Sequence, residues 1–211
     1  MHKDMSRFLC AVALMSLGLS SVQAMEADHQ HAAHHDTHAE HRQMAAQVGY
    51  QRSEHRYPEL PITLTAANGD PAPLAELLAG DRPVMLNFIY TSCTTICPVM
   101  SATFSEVRRH LGPDGSTVRM VSISIDPEVD TPDRLRAYAA RFNADPEWRL
   151  LTGDSDAIVR VQRAFDIYRG AKTSHIPATF LRTAGSDSWV RLEGLTTAAE
   201  LADEYRRLAA E

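Results

Sequence analysis

A basic surplus, a membrane-length apolar run and more than a few cysteines are all missing from this chain of 211 residues. Asp and Glu number 27 against 21 Lys and Arg, for a net charge of -6. That sign excludes the basic face a nucleic-acid binder needs. The 11 prolines and 10 glycines form no low-complexity tract, and no internal repeat is present. Only three cysteines occur, so a disulfide-rich scaffold is excluded. What remains, 44% hydrophobic and 23% charged, is ordinary globular composition, long enough for one domain or at most two.

The first 24 residues read as a secretory signal. Lys3 and Arg7 make a basic start, Phe8 to Leu19 is an apolar run too short to span a bilayer, and Val22-Gln23-Ala24 offers small residues for cleavage. The alternative is an uncleaved anchor, against which the short run argues. Cys10 lies inside the run, lacks the small residue before it that a lipoprotein box needs, and is expected to leave with the signal. Cleavage removes Lys3, Asp4 and Arg7 and leaves Cys93 and Cys97 as the only cysteines of a periplasmic chain, soluble once cleaved. Export makes a disulfide between them possible. A staple across so short a loop restrains little chain entropy, so redox or metal chemistry is the better reason for the pair.

Residues 25–45 are polar and hold His29, His31, His34, His35, His38 and His41. No core can form there. The histidines suit weak capture of copper, zinc or nickel; the bland alternative is a solvated tail. The segment 25–56 is read as this tail and a linker, with His55 in the linker, and 57–211 as the folded domain.

Within that domain, Ile62 to Thr65 with Asn68-Gly69-Asp70 predicts a strand entering a hairpin, and Leu74 to Leu78 a short helix. Val84 to Tyr90 is a nearly continuous apolar run, the mark of a central strand buried on both faces. After the cysteines, Met100, Phe104, Val107 and Leu111 share one helical face, closed by Gly112-Pro113. A second buried strand runs from Val118 to Ile125. Asp130 or Thr131 caps the next helix, whose stripe is Leu135, Tyr138, Ala139 and Phe142. A strand from Trp148 to Leu151, a helix from Asp154 to Phe165, an antiparallel pair around Gly185 and a helix opened by the Thr197-x-x-Glu200 capping box complete the chain. This order predicts an α/β fold of the thioredoxin type: a central mixed sheet flanked by helices, with an N-terminal β-hairpin extension.

Cys93 is placed in the loop after the central strand and Cys97 in the first turn of the following helix, where amides and the helix dipole favour a thiolate. Pro98 fits a first turn, which needs no amide donor there. Sulfurs four residues apart can form a disulfide or bind one soft metal ion. Two thiolates with an imidazole suit copper, and also zinc. A pair of inert buried thiols is the plainer alternative.

Tyr90-Thr91-Ser92-Cys93-Thr94-Thr95-Ile96-Cys97-Pro98, then Ser124-Ile125-Asp126-Pro127-Glu128-Val129-Asp130-Thr131-Pro132, then Tyr138-Ala139-Ala140-Arg141-Phe142, resembles the Sco/SenC family from about Leu60 to Leu208. The resemblance implies a thioredoxin-like fold in the periplasm or mitochondrial inner membrane. It implies one copper ion, as Cu(I) or Cu(II), and a part in assembling the dinuclear copper centre of cytochrome c oxidase. It also implies a ligand set of Cys93, Cys97 and His175. The family usually has Asp-His-Ser at the histidine; Ser174-His175-Ile176-Pro177 keeps the ligand and lacks the acidic neighbour. Beside His55 and His110, His175 is the only histidine after the polar tail. His110, near a helix end, simply suits the dipole. Pro177 resembles the proline that faces the cysteines in thioredoxins. Asp126 is either a support for the site or a turn-forming residue before Pro127, and Asp130 is most simply a helix cap.

The expected function is copper metallochaperone. The expected partner is a copper-receiving client, such as a cytochrome c oxidase subunit or another periplasmic copper enzyme, with membrane contact only through that client or an uncleaved signal. The alternative is a thiol–disulfide oxidoreductase in which Cys93 attacks and Cys97 resolves. A thiol peroxidase is a third reading, from Thr94-x-x-Cys97, but Tyr90 stands where that pattern has proline.

Overall fold

The computed structural model describes residues 49–210. The expected signal, and the tail with its six histidines from His29 to His41, lie outside the described residues.

Eight strands form one mixed sheet in the order β1-β8-β7-β4-β5-β6-β2-β3. They are β1 (Tyr50–His55), β2 (Thr63–Ala66), β3 (Pro71–Pro73), β4 (Val84–Ile89), β5 (Arg119–Ser124), β6 (Trp148–Thr152), β7 (Ala178–Arg182) and β8 (Trp189–Gly194). The helices are α1 (Leu74–Leu77), α2 (Ile96–Leu111), α3 (Pro132–Arg141), α4 (Ser155–Ala164) and α5 (Ala198–Ala209). β4 runs parallel to β5 and antiparallel to β7, and β5 runs parallel to β6. All six residues of β4 are buried, because both faces of the sheet are covered.

Strand periodicity divides the core in two. Met85 and Ile89 face α2, α3 and α5, meeting Phe104, Val107, Leu135, Tyr138, Leu201 and Tyr205. Leu86 and Phe88 face the other way, onto Leu74 of α1 and Ile158, Val161 and Phe165 around α4. Phe165 is the hub of this second layer: its ring lies 4.7 Å from Tyr57, 5.2 Å from Phe180, and 5.7 Å from both Phe88 and Trp189.

The helix ends are where the sequence signals placed them. Gly112 closes α2 at φ +64°. Pro132 opens α3, Asp154 caps α4 through the Ala157 amide, and the Thr197–Glu200 capping box opens α5. The β2–β3 hairpin lies at the far edge beside β6.

One boundary differs. Residues 50–55, expected as linker, form β1, which pairs antiparallel with β8 from Tyr50↔Gly194 to His55↔Trp189. His55 is therefore a strand residue. The segment is mostly exposed and lacks apolar alternation, so its pairing rests on backbone bonds that leave no side-chain pattern. Two side-chain contacts add to the ladder: the Tyr50 hydroxyl donates to buried Glu204 at 2.6 Å, and Arg52 lies 3.3 Å from the same carboxylate. Gly194 is required at the start of this pairing. Its φ is +123°, and a Cβ there would stand 2.8 Å from Tyr50 Cα.

Phe165→Ala should remove the hub of the second layer and destabilise the domain by about 3–5 kcal/mol, read from denaturant unfolding at unchanged m-value. A loss under ~1 kcal/mol would mean that the layer is not packed as described.

Candidate metal and redox site

β4 ends inside the protein and α2 begins at Ile96, so residues 90–95 must turn between a buried strand and a buried helix. Thr95, the residue before α2, provides no side-chain cap. Sulfur takes that place: the Cys97 amide donates to Cys93 Sγ at 3.4 Å, and Thr95 Oγ1 stands 3.8 Å from the same sulfur. Both cysteines are free thiols, Cys93 only 6% exposed and Cys97 fully buried.

The geometry divides one proton unequally. The Cys97 thiol donates to Cys93, and the amides of Cys97 and Thr95 add to it, pushing the Cys93 pKa down to about 4 against the opposing effect of burial. Cys97, holding the shared proton in a dry setting, is pushed far up. At neutral pH the pair is one thiolate and one thiol.

The cysteine loop is tied down from beneath by Asp130. Its buried carboxyl oxygens accept from the Thr91 amide at 3.0 Å, the Thr91 hydroxyl at 2.5 Å and the Ser124 hydroxyl at 2.6 Å. This corrects the expectation that Asp130 caps a helix. Thr131 caps α3, accepting from the Arg134 amide, while the turn in which the Asp130 amide donates to the Asp126 carbonyl aims the Asp130 carboxyl inward.

Asp126 is that turn's first residue, its carbonyl accepting from the Val129 and Asp130 amides. Its carboxylate also pairs with Lys172 Nζ at 2.5 Å. Neither Lys172 nor Tyr90 was singled out from the sequence as a site residue. The Tyr90 hydroxyl hydrogen-bonds Cys93, and burial followed by that bond pushes its pKa up to about 12. Lys172 Nζ lies 5.8 Å from the centre of the Tyr90 ring. Behind Cys97, Tyr138 shares a 2.8 Å hydrogen bond with Ser101, one helical turn on.

His175 follows a short 3-10 turn, Lys172–Ser174, and is 8% exposed. Nε2 lies 3.1 Å from the Phe88 carbonyl, and Nδ1 is buried with no partner. Donation from Nε2–H to that carbonyl leaves Nδ1 a bare lone pair. Burial holds the ring pKa below its usual value, against the Phe88 carbonyl and the Cys93 charge, which is near enough to be felt. His175 is thus neutral at pH 7, the state a metal ligand needs. Among the described residues, no three His, Cys, Asp or Glu groups stand close enough to hold a metal ion, so Cys93, Cys97 and His175 are neighbours without forming a closed triad. Pro177 is half-buried just before β7, its carbonyl accepting from the Gly194 amide at 2.9 Å.

The SCO1/SenC family model matches residues 53–209. The chain is a member of the SCO1/SenC family. It is 38% identical over 74 residues to a SCO1 protein homolog of Bacillus subtilis, a stretch covering 35% of this chain and 38% of that one. The match therefore spans well under half of the relative's length. Among solved structures, Bradyrhizobium japonicum ScoI with copper bound superposes with a TM-score of 0.55 at 29% identity, over 71% of this chain and 98% of that one. A Bacillus anthracis lipoprotein of the same family gives 0.62 at 23% identity over 74% and 98%, a likeness of fold. The thioredoxin-like fold expected from the element order is thus the family's.

Two outcomes follow from this site. In the reduced protein, thiolate absorbance should show one thiolate per chain that survives as pH falls until about 4, well below the ordinary value of 9.0, because a lowered pKa keeps the charged form in more acid solution. Loss of the signal near pH 8–9 would contradict the hydrogen bonds to Cys93. Asp130→Ala should leave three donors without an acceptor and destabilise the domain by about 3 kcal/mol or more, read by thermal or denaturant unfolding.

Proposed function

We propose that this SCO1/SenC chain is a periplasmic copper metallochaperone that carries one copper ion on Cys93, Cys97 and His175. It passes the ion to a client copper enzyme: the dinuclear copper centre of a cytochrome c oxidase, or another periplasmic copper site. The observation that carries the reading is the donor set. A thiolate and a second sulfur share one strand-to-helix corner, and the neutral imidazole of His175, whose buried Nδ1 lacks a partner, is near enough to feel the Cys93 charge. Soft sulfur suits Cu(I), and the imidazole adds a harder donor that also admits Cu(II). Copper on ScoI, 29% identical to this chain, supports it.

Copper here is cargo. Loading displaces the proton shared by the cysteines, since thiolates and not thiols are the ligands. Because the three donors do not form a closed triad in this structure, binding also brings the His175 turn toward the sulfurs. A site of two or three donors lets an incoming ligand enter before the old ones leave, which suits transfer over storage.

The unequal proton sharing also favours a second reading, thiol–disulfide exchange by Cys93 on a client's cysteines, with Cys97 resolving. A peroxidase centred on Cys97 is disfavoured, because that sulfur is fully buried and its pKa is raised.

The test is Cu(I) titration of the reduced chain against a competing chelator. One ion per chain is expected, and Cys93→Ala, Cys97→Ala and His175→Ala should each weaken binding by at least ~10–100-fold. Binding indifferent to His175→Ala would transfer the function to disulfide exchange, and the reduction potential of the cysteine pair would then be the deciding quantity.

A further inference from the structure

The loop that carries His175 has little to hold it. Gly170, Ala171, Thr173 and Ser174 are exposed, and the turn Lys172–Ser174 is only three residues long. Yet His175 is buried. Lys172 is the one side chain of 170–174 that reaches the rest of the site, and it makes two contacts there. Its ammonium pairs with Asp126 at the end of β5, and it lies over the ring of Tyr90, which in turn hydrogen-bonds Cys93. Its carbonyl accepts from the His175 amide at 3.1 Å, so the backbone of the lysine is joined to that of the histidine.

We propose that Lys172 is a positioning residue, a strap that fastens the His175 turn to Asp126 and Tyr90 and so sets the place of the imidazole relative to Cys93. An exposed ion pair would be too weak for this. The Asp126 side chain, however, is only 11% exposed, against 39% for Lys172, so losing the lysine leaves a mostly buried carboxylate unpaired. Opening the turn to hydrate that carboxylate relieves the penalty, and opening carries His175 away.

The test is the rate at which diethyl pyrocarbonate modifies each histidine of the full chain, resolved by peptide mass spectrometry, with thermal unfolding alongside. Lys172→Met keeps the stem over Tyr90 and removes the charge. It should speed modification of His175 by about fivefold to tenfold, with His55 and His110 unchanged and no large fall in Tm. Asp126→Asn removes the other end of the strap without leaving a buried charge, so it should speed modification of His175 by a smaller factor, and Lys172→Arg should keep the wild-type rate. An unchanged His175 rate in both charge-removing variants overturns the proposal. So does a parallel rise at every histidine, which would mean general unfolding. A second readout rests on the copper reading: Cu(I) affinity should fall in Lys172→Met and return in Lys172→Arg. If the wild type itself fails to bind copper, that reading fails, and the histidine rates still decide whether the strap exists.

Discussion

The start of α2 has no side-chain cap, and the rest of the site depends on how that is answered. A helix N-terminus presents amides that need acceptors. Here Thr95 does not supply one, and Cys93 Sγ does. A sulfur that accepts an amide and a neighbouring thiol is stabilised as an anion, and the helix dipole adds to this. From that one arrangement follow the low pKa of Cys93 and the retained proton of Cys97, while the raised pKa of Tyr90 comes first from its burial and then from its hydrogen bond to Cys93.

The charge is not loose in solvent. Cys93, Cys97 and His175 are all buried, and the loop between β4 and α2 is pinned from below by Asp130. Burial without a cation is unfavourable for a thiolate, which the hydrogen bonds only partly offset. A positive, soft guest would neutralise it, and the unpartnered nitrogen of His175 stands nearby. The site is thus ready in its electrostatics and incomplete in its geometry, and the proposed copper transfer rests on that combination.

Much of this was legible in the chain. Val84 to Tyr90 announced a strand covered on both faces, and the stripe from Met100 to Leu111 announced the helix after it, which together place the cysteines at the strand-to-helix corner. Caps and turns were equally readable, because Thr197, Glu200, Asp154 and Gly112 act on backbone groups within a few residues of themselves. β1 was not legible. Its side chains are polar and exposed, and its partner β8 is more than a hundred residues away, so nothing local distinguishes it from linker. Asp130 was misread for a related reason: an Asp before Thr-Pro is a good cap in sequence terms, but Thr131 occupies that role and frees Asp130 to turn inward.

The sequence by itself determined that Cys93 and Cys97 stand at a strand-to-helix corner, because hydrophobic periodicity, capping and the Cys-x-x-x-Cys spacing are properties of short segments. Only the tertiary structure decided how those residues meet. That His175 Nε2 spends itself on the Phe88 carbonyl and leaves Nδ1 bare is a fact of contact between segments 87 residues apart. The same holds for Lys172 reaching Asp126 and Tyr90, and for Thr91 and Ser124 sharing one carboxyl group. Such contacts are set by how the sheet brings the ends of β4, β5 and β7 together, and by the energetic need to give each buried polar group a partner once water is excluded.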